Sequence, residues 1–434
     1  MKRKNQIFSF SERALATQGL IGPVVYYASP VSEANGTGLI LNLIPFMRIG
    51  IDCRTILNPE RGEGAGVGHY TYQLVRHLIM ADKANDYFLF FDRTVQAKRL
   101  NKFKKDNVFI KFFPFIQYKK FMPGGYSHFL ISAFISRFKL DVFHSPTLNL
   151  PPSYRGRTVV TAHDLAIYKF PEFYTDKQTA LLKSIIPRAV QQAKKIIAVS
   201  KSTKKDLGEF FVAEKDKITV VYHGVDERFF KNSGAAETER VKQKFGIKNE
   251  YLLFLGTLEK RKNIVRIIEA YERLRDRWSA LPLNLKDGYQ LVLAGSPGHG
   301  FKEIKTKIDE SKYKNDILIS GYIPADDVDP LYEGAKVFVF PTLYEGFGLP
   351  VIEAMADGLA VITSNVSSLP ETAGDNAILV DPYNVAEIFQ AMFDVLTKPN
   401  LRKTLGRDGV KRAHLFDWSK TAKETLGVYR QAVK

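Results

Sequence analysis

Glu345 and Glu353 bracket the loop Gly346-Phe347-Gly348-Leu349-Pro350. An apolar run, Val337–Pro341, leads into that loop. A helical pattern follows it, with Pro350 in the first turn, where proline is tolerated. Gly346 and Gly348 let backbone N–H groups approach a ligand, and a helix start adds partial positive charge. That assembly suits a diphosphate. Carboxylates are poor phosphate ligands but good acceptors for hydroxyls, so one glutamate near a sugar and one near a ribose is sensible chemistry. The plainer alternative has Glu345 capping the helix and Glu353 on its exposed face.

A second stretch, Gly256-Thr257-Leu258-Glu259-Lys260-Arg261-Lys262-Asn263, lies between a strand pattern and a helix pattern. Three cations at a helix N-terminus oppose its dipole unless an anion sits there. Arg261 offers a planar fork and Lys262 a point charge for phosphate oxygens; a solvated basic turn is the alternative. His163, in Thr161-Ala162-His163-Asp164, ends a strand and can exchange hydrogen bonds or protons with a hydroxyl. Gly66 and Gly68 belong to a glycine-rich loop, 62–70, that permits close backbone approach but is weak evidence alone. Asp327 and Asp329 read as the start of a short helix, Asp327–Glu333, rather than a metal clamp. The eight histidines show no i, i+4 pair, and no metal site is expected.

These loops need elements to hold them. From Met47 onward, short β-branched or aromatic runs alternate with helical patterns, the signature of parallel βαβ units. The first series of expected strands is Ile49–Cys53, Phe88–Phe91, Val108–Phe113, Asp141–His144, Thr158–Thr161, Ile196–Val199 and Thr219–Tyr222. Helices are expected over Tyr70–Met80 and Ala180–Lys194. The second series is Tyr251–Leu255, Gln290–Ala294, Ile317–Gly321, Val337–Pro341, Ala360–Thr363 and Ala377–Val380, with a helix over Asn263–Arg275. In such sheets ligands bind beyond the carboxyl ends of the strands, where all the stretches above fall.

Composition narrows the partners. The chain has 434 residues, 63 Lys and Arg against 46 Asp and Glu, and a formal charge of +17, which favours an anionic partner. Cys53 is the only cysteine, so a disulfide framework and a thiolate zinc site are excluded. No apolar run reaches the roughly 18 residues that span a bilayer. Residues 1–46 read as an extension outside the fold, the pattern left by a start codon assigned too far upstream. Residues 93–139 hold eleven Lys or Arg and one acid, Asp106, interleaved with Phe103, Phe109, Phe112, Phe113, Phe115 and Phe121. An anionic membrane surface would suit that stretch. A strand core flanked by solvated lysines suits it equally, and single-stranded nucleic acid is the least favoured occupant.

Taken together, the chain from Met47 to its end resembles the retaining family-4 glycosyltransferases of the GT-B type, most closely a mannosyltransferase-like subgroup. The resemblance rests on the glutamate pair inside Tyr-Glu-Gly-Phe-Gly-Leu-Pro and on the order of the other elements. These are the glycine loop, His163-Asp164, Val199-Ser200-Lys201-Ser202, His223-Gly224-Val225-Asp226 and the loop Gly256–Asn263. It implies an α/β GT-B architecture, two Rossmann-like domains facing across a cleft, with a C-terminal helix crossing back to the first. The expected division is an acceptor domain over 47–225, a linker over 226–249, a nucleotide-sugar domain over 250–415 and the terminal helix over 416–434.

The resemblance also assigns roles. Arg261 and Lys262 would neutralise the departing diphosphate, Glu345 would bind the donor sugar and Glu353 the ribose, and His163 would contact the sugar from the opposite domain. Gly66 and Gly68 would close over the phosphates, and Gly256, Thr257, Gly346, Phe347, Gly348 and Leu349 would line the donor site. No cofactor is implied beyond the nucleotide-diphospho-sugar, with GDP-mannose suggested, and no metal. The acceptor would be a saccharide or lipid-linked glycan, handled in the cytoplasm or on the inner face of the membrane. Thr257 departs from the family pattern, in which Arg is common, and shifts the phosphate role onto Arg261 and Lys262. A nucleotide-sugar 2-epimerase of the same architecture and a non-catalytic glycan- or nucleic-acid-binding protein are the alternatives.

Overall fold

A computed structural model describes residues 46–56, 66–93, 95–114, 124–212, 215–277 and 288–434. The extension up to residue 45, Gly62 and Gly64 of the glycine loop, and Phe115 and Phe121 lie outside the described residues. Seven parallel strands form the first sheet: β1 (Arg48–Asp52), β2 (Asp86–Phe91), β3 (Val108–Phe112), β4 (Val142–Ser145), β5 (Thr158–Ala162), β6 (Lys195–Ala198) and β7 (Ile218–Val220), ordered 3-2-1-4-5-6-7. Six more form the second: β8 (Tyr251–Leu255), β9 (Gln290–Ala294), β10 (Ile317–Gly321), β11 (Val337–Phe340), β12 (Val361–Ser364) and β13 (Ile378–Val380), ordered 10-9-8-11-12-13.

Parallel strands covered by helices on both faces are buried throughout, which is why β8 can read Tyr-Leu-Leu-Phe-Leu with no polar alternation. The helix Ile264–Asp276 turns Ile264, Ile267, Ile268, Tyr271 and Leu274 inward, a 3.6-residue stripe against the second sheet. The helix Asp176–Gln192 starts from a capping box in which Thr175 and Gln178 bond reciprocally. In each sheet the strand order reverses beside the first strand of its series, between β1 and β4 and between β8 and β11. Loops diverge at such a point and leave a crevice at the carboxyl ends. The loops after β8 and β11 are the two stretches that carry Arg261, Lys262 and Glu345.

Residues 226–249 are more than a tether. They contain the helix Ala235–Phe245, whose Val241 is fully buried and whose Arg240 and Lys244 both bind the carboxylate of Asp327. Asp327 therefore has a structural partner, and it lies in the helix Ala325–Glu333.

The terminal helix Trp418–Val433 returns to the first sheet, as the GT-B resemblance implies. Trp418 and Tyr429 are buried with Ile49, Leu74 and Val159, and the Tyr429 hydroxyl lies 2.7 Å from His144 Nδ1. Gly224 is required at this crossing, because a Cβ there would lie 2.2 Å from the Trp418 backbone nitrogen. In the basic stretch, Phe103 and Phe113 are core residues, whereas Phe109 is 37% exposed and stacks on Phe88. Among the described residues no helix is long and apolar enough to cross a membrane.

Candidate active site

The loops after β8 and β11 are fastened to each other. Asn263 adopts a left-handed conformation (φ 62°) that ends the short turn Lys260–Lys262, and its side-chain amide donates to the carbonyls of Pro341 and Pro382. The Leu343 N–H donates to the Arg261 carbonyl at 2.9 Å, and Arg261 Nη1 donates to the Tyr344 carbonyl at 2.8 Å. This zipper sets Glu345 against both cations. Its carboxylate accepts from Lys262 Nζ and lies 3.5 Å from Arg261 Nη1. Burial alone would raise the Glu345 carboxyl, but Lys262 and Arg261 outweigh it and hold the group below its ordinary value. Burial dominates at Lys262 and lowers its ammonium despite Glu345.

The three cations of the turn are thus compensated within the protein: Lys260 pairs with Glu303, Arg261 with Glu259, and Lys262 with Glu345. An external anion is not needed to hold the turn, contrary to the reading of the sequence as a dipole conflict. Glu353 lies one helical turn into Leu349–Ala356, half-buried, with the Tyr332 hydroxyl donating to it at 3.3 Å. Burial pushes its carboxyl up to about 7. It does not occupy an exposed helix face.

From the first sheet, His163 follows β5. Its Nε2 lies 2.8 Å from the Pro146 carbonyl, so Nε2 carries the proton and Nδ1 is left as an acceptor. Burial lowers its pKa and keeps the ring neutral. The backbone of this segment meets the second sheet directly: a Cβ at Gly346 would lie 1.6 Å from the His163 carbonyl oxygen, so only glycine permits this approach.

These groups enclose a cavity of about 510 Å³ lined by both halves of the chain. Gly66, His163, Gly256, Thr257, Arg261, Lys262, Glu345, Gly346, Phe347, Gly348, Leu349 and Glu353 all face it. Gly68 does not, being buried in the first turn of the helix Gly66–Ala81. The structure adds residues to which the sequence assigned no role in the site, although His223 belongs to a stretch that carried the resemblance. Gly295 and Ser296 line the cavity directly after β9, a position the strand-end rule could have flagged. Arg228 lines it beside Glu353, and His223 beside His163. His223 is 5% exposed, and among the described residues neither ring nitrogen has a hydrogen-bond partner. Among the described residues no group of three or more His, Cys, Asp or Glu could hold a metal.

A cationic turn, two carboxylates and a neutral imidazole around one cavity can bind a sugar diphosphate and orient its anomeric carbon. Residues 64–229 match the model of Glycosyltransferase Family 4, and residues 236–412 match that of Glycosyl transferases group 1. The chain belongs to the GT-B glycosyltransferases. O-antigen chain mannosyltransferase B of Escherichia coli is 29% identical over 374 residues, covering 84% of this chain and 96% of that protein. The serotype-specific mannosyltransferase WbdA, also of Escherichia coli, is 31% identical over 290 residues, 64% of this chain but only 33% of its own length. In fold, this glycosyltransferase resembles sucrose-phosphate synthase from Thermosynechococcus elongatus, with a TM-score of 0.70 at 19% identity over 89% of this chain and 98% of that one.

Proposed function

We propose that this glycosyltransferase moves mannose, with retention, from GDP-mannose to a saccharide or lipid-linked acceptor during polysaccharide or glycolipid assembly. The observation that carries the reading is the Glu345 carboxylate held against Lys262 and Arg261 at the β8/β11 crevice, across one cavity from His163. Arg261 and Lys262 neutralise the diphosphate as the glycosidic bond breaks, an electrostatic role that is worth most in a water-poor site. Glu345 accepts from donor-sugar hydroxyls, Glu353 from the ribose, and His163 Nδ1 from a hydroxyl on the facing side. The acceptor hydroxyl delivers its proton to the leaving phosphate oxygen on the same face, so no protein base is required. The mannosyl choice follows the names of the similar Escherichia coli enzymes.

A panel of UDP- and GDP-sugars, followed by thermal shift and by product analysis, tests this. GDP-mannose should give the largest shift and release GDP, with the same binding in the presence of a chelator. A different preferred donor, a 2-epimer as product, or strict dependence on a divalent ion would each overturn part of the proposal. Unchanged turnover after Arg261→Ala and Lys262→Ala would overturn its core.

The proposal also sets the enzyme peripherally on the inner face of the membrane through residues 93–139. Exposed Phe129, at 57%, and Phe109 with Lys111 over its ring support this. Co-sedimentation with phosphatidylglycerol vesicles but not phosphatidylcholine vesicles is expected; equal recovery with both would leave the stretch as core and solvated flank.

A further inference from the structure

Tyr344 precedes Glu345 and follows a strand of the second sheet, yet its side chain ends inside the first domain. Its hydroxyl donates to Asp206 Oδ2 at 2.6 Å and accepts from the Leu165 N–H at 3.2 Å. Asp206 is 1% exposed, lies on the helix Lys201–Phe210, and is also bound by Lys169 Nζ at 2.6 Å. Phe170 packs on the Tyr344 ring with centroids 5.8 Å apart. The backbone of the same residue faces the other way, since its carbonyl takes the hydrogen bond from Arg261 Nη1. One residue is therefore fastened at its tip to the first domain and at its carbonyl to a phosphate-facing arginine. Glu345 is the next residue along.

Tyr344 is not part of the cavity wall, so donor recognition does not require its hydroxyl. A buried phenol–carboxylate bond is charge-assisted and directional, unlike the apolar packing that would suffice to fill the space. We propose that the Tyr344–Asp206 hydrogen bond is an interdomain latch that couples docking of the two domains to the alignment of Glu345 and Arg261. Tyr344 and Asp206 are positioning residues. The latch rests on the roles given to Glu345 and Arg261 above. Other ties between the domains do not share this geometry. Glu371 accepts from the Lys201 and Ser202 N–H groups and from the Tyr222 hydroxyl, and Thr203 donates to the Gly346 carbonyl. None of these bonds uses the Tyr344 hydroxyl, so cutting the latch is expected to loosen the loop while the domains stay associated.

Tyr344→Phe removes one oxygen and keeps the ring. With GDP as the binding probe and GDP-mannose as the turnover probe, kcat should fall about tenfold to a hundredfold, the range for a buried hydrogen bond to a charged group. The GDP Kd should stay within about twofold, because the second domain holds the nucleotide. Asp206→Ala should give a similar kcat loss, and the double variant no more than either single one, as expected for two ends of one interaction. Unchanged kcat, parallel loss of kcat and GDP affinity, or additive losses would each overturn the latch.

Amide exchange in the unliganded protein gives a readout that needs no donor. Exchange at Leu165 and across residues 343–347 should quicken in Tyr344→Phe while β9 is unaffected, and equal exchange would overturn the latch. If the wild type ignores GDP and GDP-mannose, the donor reading fails while this measurement still decides the latch.

Discussion

The wall of the cleft supplied by the second sheet is charged and internally bonded, whereas the wall supplied by the first is mainly aromatic rings and imidazoles, with Asp164 as its carboxylate. On the second wall, Arg261, Lys262, Glu259 and Glu345 neutralise one another, and Asn263 ties their turn to the neighbouring loop. On the first wall, Tyr70 lies 4.7 Å from His163 and 4.8 Å from His223, ring centre to ring centre. Burial lowers both imidazoles, so neither carries charge near neutrality. Phe347 reaches across to close the cluster, 4.9 Å from His223. A diphosphate needs fixed charge waiting for it. A sugar ring needs apolar faces with a few hydrogen-bonding atoms between them. Under the proposed function, the cationic turn of the second wall suits the diphosphate, and the aromatic wall faces the sugar that Glu345 holds from the other side.

The sharpest way to break the comparison is Glu345→Ala. In the unliganded protein this carboxylate is the counter-ion of Lys262 and Arg261, a place the donor diphosphate would take. Its removal should cut turnover by about 10²- to 10³-fold, the range for deleting one preorganised electrostatic group. GDP affinity should hold or rise, because the cations lose their internal competitor. Kinetics with GDP-mannose and calorimetry with GDP check both halves. A joint fall would make Glu345 a brace for the turn rather than a sugar ligand.

A smaller effect separates the two carboxylates of the charged wall. Glu345 is held ionised by its cations, whereas burial raises Glu353 to about 7. In the role proposed for it, the ionised form of Glu353 accepts from both ribose hydroxyls, and binding a diol therefore favours proton loss. GDP affinity should rise with pH through the free-state value and level off above it, by up to about tenfold over one to two pH units. Glu353→Gln should flatten the profile. A profile unchanged by that substitution would move the ribose away from Glu353.

The fold was largely legible because parallel strands buried on both faces cannot hide their apolar runs. β8, β9 and β10 match their expected limits. The first sheet shows where the signal fades. β7 stops at Val220 rather than Tyr222, because Tyr222 turns aside to donate to Glu371 in the other domain. The helix expected from Tyr70 starts at Gly66, since glycines contribute nothing to an apolar stripe.

In the site, Arg261, Lys262, Glu345 and His163 were legible as chemistry placed just after strands. Their partners were not. The Lys262–Glu345 pair spans 83 residues and the Tyr344–Asp206 bond 138, and no local pattern encodes either. The linker was legible only as a linker: the helix within it packs on Ala325–Glu333, with Arg240 and Asp327 87 residues apart.

The smallest expected effect tests the aromatic wall alone. His223→Phe keeps a ring against Tyr70, Phe347 and Trp418 but removes two buried nitrogens that have no hydrogen-bond partner among the described residues. Without substrate, deleting unsatisfied polar atoms stabilises a protein, so Tm should rise by about 2 °C. With substrate, loss of one neutral hydrogen bond should raise the KM for a saccharide acceptor by about three- to tenfold and leave the GDP Kd unchanged. That pairing, a steadier protein that binds its sugar less well, is what a recognition atom held ready at some cost to stability should show. If Tm rises and KM does not move, His223 is a spacer and the first wall reads its ligand by shape. If GDP affinity falls instead, the aromatic wall shares the phosphate site and the division of labour between the two sheets fails.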